Sequence, residues 1–147
     1  MKAVAFHQIT VLTSAIGIGL PAGTPSAYNA ASAYSVGNYV TYLTVEYYCI
    51  QAGTGKTPDS NPTYWLALDA DGIPTNALYA RLQCTGKGVC WTDDGRTTPT
   101  ATVGNRLPPN SDTLSYSEVM YKDGDLGNIK VIETSATAVL NVTFYTN

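Results

Sequence analysis

Ala138-Val139-Leu140-Asn141-Val142-Thr143-Phe144-Tyr145 is the stretch that decides the fold class. Leu140, Val142 and Phe144 alternate with Asn141, Thr143 and Tyr145. A period of two puts apolar side chains on one face of an extended strand and polar ones on the other. Working outward, the same reading predicts strands over Ala3–Leu12, Val36–Tyr42, Glu46–Gln51, Tyr64–Leu68, Leu78–Cys84, Gly88–Thr92, Thr113–Val119 and Ile129–Glu133. Turn-forming residues separate them at Gly53–Pro62, Asp69–Pro74, Asp93–Gly95, Pro108–Asn110 and Asp123–Gly127. No long stretch carries a clean helical period. Many short strands at near-regular spacing predict an all-β sandwich or barrel.

Composition agrees with that class. Eleven Tyr stand against two Phe, and Thr and Val are frequent. Tyr suits half-apolar, half-wet strand surfaces and interfaces, and β-branched residues favour strands. The chain's 147 residues allow one domain or two small ones. Charged residues make up 13%, against about 25% in an average globular chain. The net charge is −3, and the eight Lys and Arg are scattered singly. Such a chain has no basic patch to neutralise a phosphate backbone or an anionic bilayer, so neither nucleic acid nor a membrane is expected as a partner.

The N-terminal stretch imitates a secretory signal, with Lys2 before an apolar-leaning run to Leu20. His7, Gln8, Thr10, Thr13 and Ser14 interrupt it, and it is too short and polar to span a bilayer. It reads better as an opening strand ended by Gly17, Gly19 and Pro21. Among the three cysteines, Cys49, Cys84 and Cys90, no pair has zinc-knuckle or redox spacing. Cys84 and Cys90 could bridge a hairpin; buried, reduced thiols are the expected state.

Motifs that carry chemistry are fragmentary. Gly55-Lys56-Thr57 resembles the end of a phosphate loop, but its leading Gly position is Ile50, and Pro58 and Pro62 follow in place of a helix. Asp69-Ala70-Asp71-Gly72 opens like a calcium loop and lacks the remaining ligands. Asp93-Asp94-Gly95 and Asp123-Gly124-Asp125 read as turns in the same way. His7 is the single histidine, no Gly-x-Ser-x-Gly elbow is present, and no Cys has a base partner in sequence. No catalytic residue, metal ligand or cofactor site is therefore expected. Asn141-Val142-Thr143 matches a glycosylation pattern but falls within the final alternation.

Two segments resemble known families. Tyr28, Tyr34-Ser35-Val36-Gly37-Asn38-Tyr39-Val40-Thr41-Tyr42, Glu46-Tyr47-Tyr48-Cys49, Pro58 and Tyr64-Trp65 together resemble small chitin-binding carbohydrate-binding modules. That resemblance implies a small antiparallel sheet whose exposed aromatics stack on sugar rings, with Tyr28, Tyr42, Tyr47 and Trp65 as sugar- or partner-binding residues. The family's leading Trp is Tyr28 here, and the Asp of its Gly-Asp pair is Asn38. Tyr42, Tyr48 and Trp65 are expected to form the module's own core rather than a sugar platform. The second segment runs through Val89-Cys90-Trp91-Thr92-Asp93-Asp94-Gly95, Pro99-Thr100-Ala101-Thr102-Val103-Gly104, Leu107, Ile129-Lys130-Val131-Ile132 and Leu140–Tyr145. It looks like a β-module of small tailed-phage structural proteins, which implies a virion component.

The combined expectation is an N-terminal strand or arm over 1–27, a carbohydrate-binding-module-like β domain over 28–72 and a β-sandwich-like C-terminal domain over 73–147. The expected role is non-enzymatic: a phage capsid decoration or cement protein, or another head- or tail-surface component. Its partners are then the major capsid protein or other virion proteins, and it assembles in the bacterial host cytoplasm as a homo-oligomer, a trimer by expectation. The N-terminal strand is a candidate for docking on a neighbour by strand addition. The alternative is a carbohydrate-binding host-adhesion or secreted module that binds glycans, with Trp65 and several Tyr coplanar and exposed.

Overall fold

In chain order the described strands are β1 (Lys2–Ile9), β2 (Ile16–Gly17), β3 (Ser26–Ala27), β4 (Ala33–Tyr34), β5 (Tyr39–Tyr42), β6 (Val45–Cys49), β7 (Gly53–Thr54), β8 (Trp65–Leu68), β9 (Tyr79–Thr85), β10 (Val89–Thr92), β11 (Asn105–Leu107), β12 (Glu118–Tyr121), β13 (Lys130–Glu133) and β14 (Val139–Thr146). They belong to a computed structural model that describes residues 1–10, 12–20, 24–111, 114, 118–121 and 126–147. The chain is all-β, as the alternation predicts. Among the described residues the helical segments are short 3-10 turns at Pro58–Ser60 and Leu126–Asn128. Most of the predicted strand 113–119, the turn residues 123–125 and Pro21 lie outside the described residues.

Contacts divide the chain into two units, Leu20–Asn76 and a second in which Met1–Gly19 joins Ala77–Asn147. The division differs from the expected arm and two consecutive domains because β1 is not an arm. It pairs antiparallel with β14 from Lys2↔Thr146 to Ile9↔Leu140, with one bulge between Ala3 and Ala5. The partner that β1 was expected to find on a neighbour is therefore found within the chain.

The larger unit holds two four-stranded sheets, ordered β1-β14-β9-β12 and β11-β10-β13-β2. Leu140, Val142 and Phe144 of β14 and Ala80, Leu82 and Cys84 of β9 all have no exposure. The register Leu140↔Cys84, Val142↔Leu82 and Phe144↔Ala80 sets these six on one face. From the second sheet, Val89, Val131 and Leu107 share a face and are equally buried. This arrangement is sandwich-like, with a mostly aliphatic core in which Phe144 and Trp91 are the large buried rings among the described residues.

The link from β9 to β10 is not the hairpin that would have set Cys84 against Cys90. β9 pairs with β14 and β12, whereas β10 pairs with β11 and β13. The residues between them carry the chain from one sheet to the other, and all three cysteines are free and buried. Gly86 makes that crossing at φ 77°, where an added Cβ would meet the Thr137 carbonyl oxygen at 2.5 Å. Only glycine fits both the backbone and the approach.

The smaller unit holds the sheet β3-β5-β6-β8 and the ribbon β4-β7. Its central hairpin turns in two residues, since Tyr42 faces Val45. Leu43 and Thr44 both take positive φ, 48° and 69°. This is the backbone of a mirror-image hairpin turn, which normally uses Asn and Gly. Here a branched and a β-branched residue occupy it.

Candidate functional site

Strand register assembles the tyrosine cluster. Val40 faces Tyr47, Tyr47 faces Ala67, and Cys49 faces Trp65. One face of β5-β6-β8 therefore presents Val40, Tyr47, Cys49 and Trp65, which form a buried cluster. Half-buried Tyr28, Tyr34, Tyr42 and Tyr64 pack against it. Tyr28 and Tyr34 stack with centroids 5.5 Å apart, and Tyr28 meets Tyr42 edge-on at 5.7 Å. Trp65 receives Tyr28 and Tyr34 at interplanar angles of 89° and 72°. These are favoured offset and edge-to-face geometries of rings packing on one another.

All four residues singled out by sequence, Tyr28, Tyr42, Tyr47 and Trp65, thus meet in one cluster. They do so as neighbours in a core. Trp65 is 3% exposed and Tyr47 8%, so neither offers an open ring face. The Trp65 indole Nε1–H donates to the Lys56 carbonyl at 2.6 Å, which uses the polar handle of that ring. Tyr34 belongs to the cluster as well; its hydroxyl accepts from the Asn29 N–H at 2.8 Å. The two-residue strand that carries Tyr34 has no periodicity by which to find it.

Tyr48 departs from the expected core trio. It lies one residue from Tyr47, so it points to the opposite face, where its ring meets Tyr39 edge-on at 5.1 Å. Adjacent residues on a strand cannot both be inward. Burial raises the Tyr39 phenol well above its usual range, with Tyr48 and then Glu46 adding to the shift. Burial likewise raises Tyr47, helped by Asp59 and then Tyr42.

A shallow groove of about 210 Å³ runs beside the cluster, lined by the edges of Tyr47 and Trp65 with Pro58, Pro62, Asp59 and Asn76 among others. Its volume falls below the roughly 300–1,000 Å³ of sites that enclose a small molecule.

The other fragments resolve as turns. Gly53-Thr54 pairs with Ala33-Tyr34, Gly55 takes φ 67°, and a 3-10 turn follows at Pro58. Among the described residues no α-helix follows Lys56, whose carbonyl accepts from Trp65. Asp69 Oδ1 accepts the Asp71 and Ile73 N–H groups, each at 2.9 Å. Asp94 Oδ1 accepts from the Arg96 and Thr97 N–H groups, and Oδ2 accepts the Thr97 hydroxyl at 2.6 Å. Those bonds, the Thr97 hydroxyl first, hold the Asp94 carboxyl down at about 2. Both aspartates therefore serve their own loops, as Asx-turns do. Among the described residues no three His, Cys, Asp or Glu side chains gather in a metal-binding group.

In comparisons with known proteins, no family model, no curated protein and no solved structure matches this chain.

Proposed function

We propose that this chain is a non-enzymatic structural protein of a tailed-phage virion. In that reading it is a capsid decoration or cement protein, or another head- or tail-surface component, and it binds virion proteins as a homo-oligomer. A trimer is the expected state, assembled in the host cytoplasm. The resemblance of residues 84–145 to phage β-modules supplies the virion part of the reading. The observation that carries the structural part is the inward turning of the aromatic cluster: its rings spend their faces on each other, and Trp65 keeps 3% of its surface. A module that resembles a sugar binder then acts as scaffold, and recognition falls to strand surfaces and edges. Among the described residues, no strand lies beyond β1 in its sheet. Phe6 on β1 is 57% exposed, beside that open edge. An open edge offers main-chain donors and acceptors to an incoming strand.

Mass spectrometry of purified particles of the phage encoding this chain tests the proposal. It should appear there in stoichiometric proportion to the capsid or tail proteins, and light scattering should give a defined oligomer. Its absence from particles, with secretion as a lone monomer, would sink the reading.

The groove beside Tyr47 and Trp65 favours a second reading, glycan binding by a host-adhesion or secreted module. A chitin pull-down that retains the wild-type chain and loses the folded Asp59→Ala variant would establish it over the first.

A further inference from the structure

His7 is the single histidine, and it lies on the inner face of β1 at 8% exposure. Its Nε2–H donates to the Ile18 carbonyl at 2.9 Å, which ties β1 to the segment that follows it. That bond fixes the neutral tautomer, because a carbonyl can only accept. Nδ1 is then a bare acceptor, buried and without a partner among the described residues. The ring stacks on Phe144 with centroids 6.1 Å apart and planes 9° from parallel.

A second proton has to go on Nδ1, where no acceptor for the new N–H stands among the described residues. The inward side chains of β14 and β9 are Leu140, Val142, Phe144, Ala80, Leu82 and Cys84, all without exposure. Cys84 is the titratable group among them, and burial pushes its thiol up to about 11, so it stays neutral. Leu12 and Ile18, from the segment after β1, are buried and apolar. On the facing sheet, Val89, Trp91, Val131 and Leu107 carry no charge. Glu133 shares their face, but its carboxylate accepts the Ala138 N–H at 3.3 Å. Lys2, at the start of β1, is exposed. Among the described residues no anion therefore lies within hydrogen-bond reach of Nδ1, and burial lowers the His7 pKa from 6.5, the Ile18 bond opposing it.

β1 is also an edge strand of its sheet. Its described neighbour is β14 alone, and Lys2, Ala3, Phe6 and Gln8 face solvent. Strands of this kind open locally at lower free energy than the core they cover. From this geometry we propose that His7 is an acid-sensitive latch holding β1 on β14. Proton uptake loosens β1 and the Ile18 segment and uncovers the edge of β14, while the rest of the sandwich stays closed. The sign follows from linkage: the opened strand binds a proton at the ordinary histidine value and the closed one does not, so closure weakens as pH falls below about 6.5.

Backbone hydrogen exchange on the full chain between pH 7 and 5, corrected for the intrinsic pH dependence of exchange, reads this directly. Protection of β1 should fall by up to about tenfold per pH unit below 6.5, with β10 and β13 unchanged. The non-titrating His7→Gln variant should show no such fall. Equal protection of β1 at both pH values overturns the proposal, as does a fall shared by β10 and β13, or a fall that persists in H7Q. If H7Q does not fold, imidazole NMR of the wild type decides. A single histidine gives one set of ring signals, and their titration must track the opening of β1; opening at a different pH rejects the latch.

Discussion

The two units solve the same problem, burying a face of a small sheet, with different side chains. In the unit joining Met1–Gly19 to Ala77–Asn147, strands reach eight residues and the central side chains are mostly aliphatic, with Leu82, Leu140 and Val142 fully buried around Phe144. In Leu20–Asn76, strands run to five residues at most, and the buried cluster is Val40, Tyr47, Cys49 and Trp65 under half-buried tyrosines. Facing sheets can shut water out on both sides of an aliphatic layer. A sheet this small cannot, so its core uses rings that bury a large body while a hydroxyl or N–H stays bonded. Seven of the eleven Tyr fall in Leu20–Asn76 and five of these form or pack against its buried cluster, so the surplus of Tyr over Phe need not report a ligand.

The largest effects should separate these cores. Phe144→Ala and Trp65→Ala each remove a buried ring and should cost about 3–5 kcal/mol in urea unfolding. Trp65→Phe refines the contrast. It keeps a ring but orphans the Lys56 carbonyl, and should cost about 1–3 kcal/mol. If Trp65→Phe is neutral, the Nε1–H bond has no part in holding the small core.

Glycines give the next contrast. Gly86→Ala combines φ 77° with a backbone carbonyl 2.5 Å from the new Cβ, so nothing can yield cheaply. About 2 kcal/mol or more should be lost. At Gly53, in the smaller unit, the obstacle is the Tyr64 ring at 2.9 Å, a side chain that can move. Its substitution by Ala should cost about half as much. Equal losses would show that the ring is held as firmly as the backbone.

The hairpin of the smaller unit can be improved. Replacing Leu43-Thr44 by Asn-Gly relieves positive φ at two unsuitable residues, one of them 70% exposed. Stability of that unit should rise by about 1 kcal/mol in urea unfolding. No gain would mean that the turn is held by something other than its own backbone preference. The smallest effect belongs to Asp94→Ala. Its exposed carboxylate organises only the Arg96–Thr97 turn, so faster amide exchange at those two residues is the whole expected result. In wild type the same turn should loosen as pH falls from 3.8 toward about 2, where the carboxylate takes up its proton.

How far the fold was legible depended on strand length. The alternation at 138–145 matches β14 almost residue for residue, and Ala3–Leu12, Leu78–Cys84 and Tyr64–Leu68 overlap β1, β9 and β8 with ends that differ by three residues at most. β2, β3, β4 and β7 are two residues each, and β11 is three, too short for any period to show. Long-range pairing was hidden too. Nothing local in Thr85–Val89 tells a hairpin from a crossing between sheets, and the pairing of β1 with β14 spans almost the whole chain. For the candidate site, the four aromatics were identifiable by type and spacing. Whether Tyr47 or Tyr48 faced inward was not, because a one-residue slip in register exchanges the faces of a strand.

The central claim is that the tyrosine cluster is a core and not a sugar platform. Aromatic-ring NMR signals followed during titration with a chitin oligosaccharide test it most directly. The account predicts that the ring signals of Tyr28, Tyr34, Tyr42 and Trp65 stay in place up to millimolar sugar. Saturable shifts of those signals, with the fold intact, would contradict it.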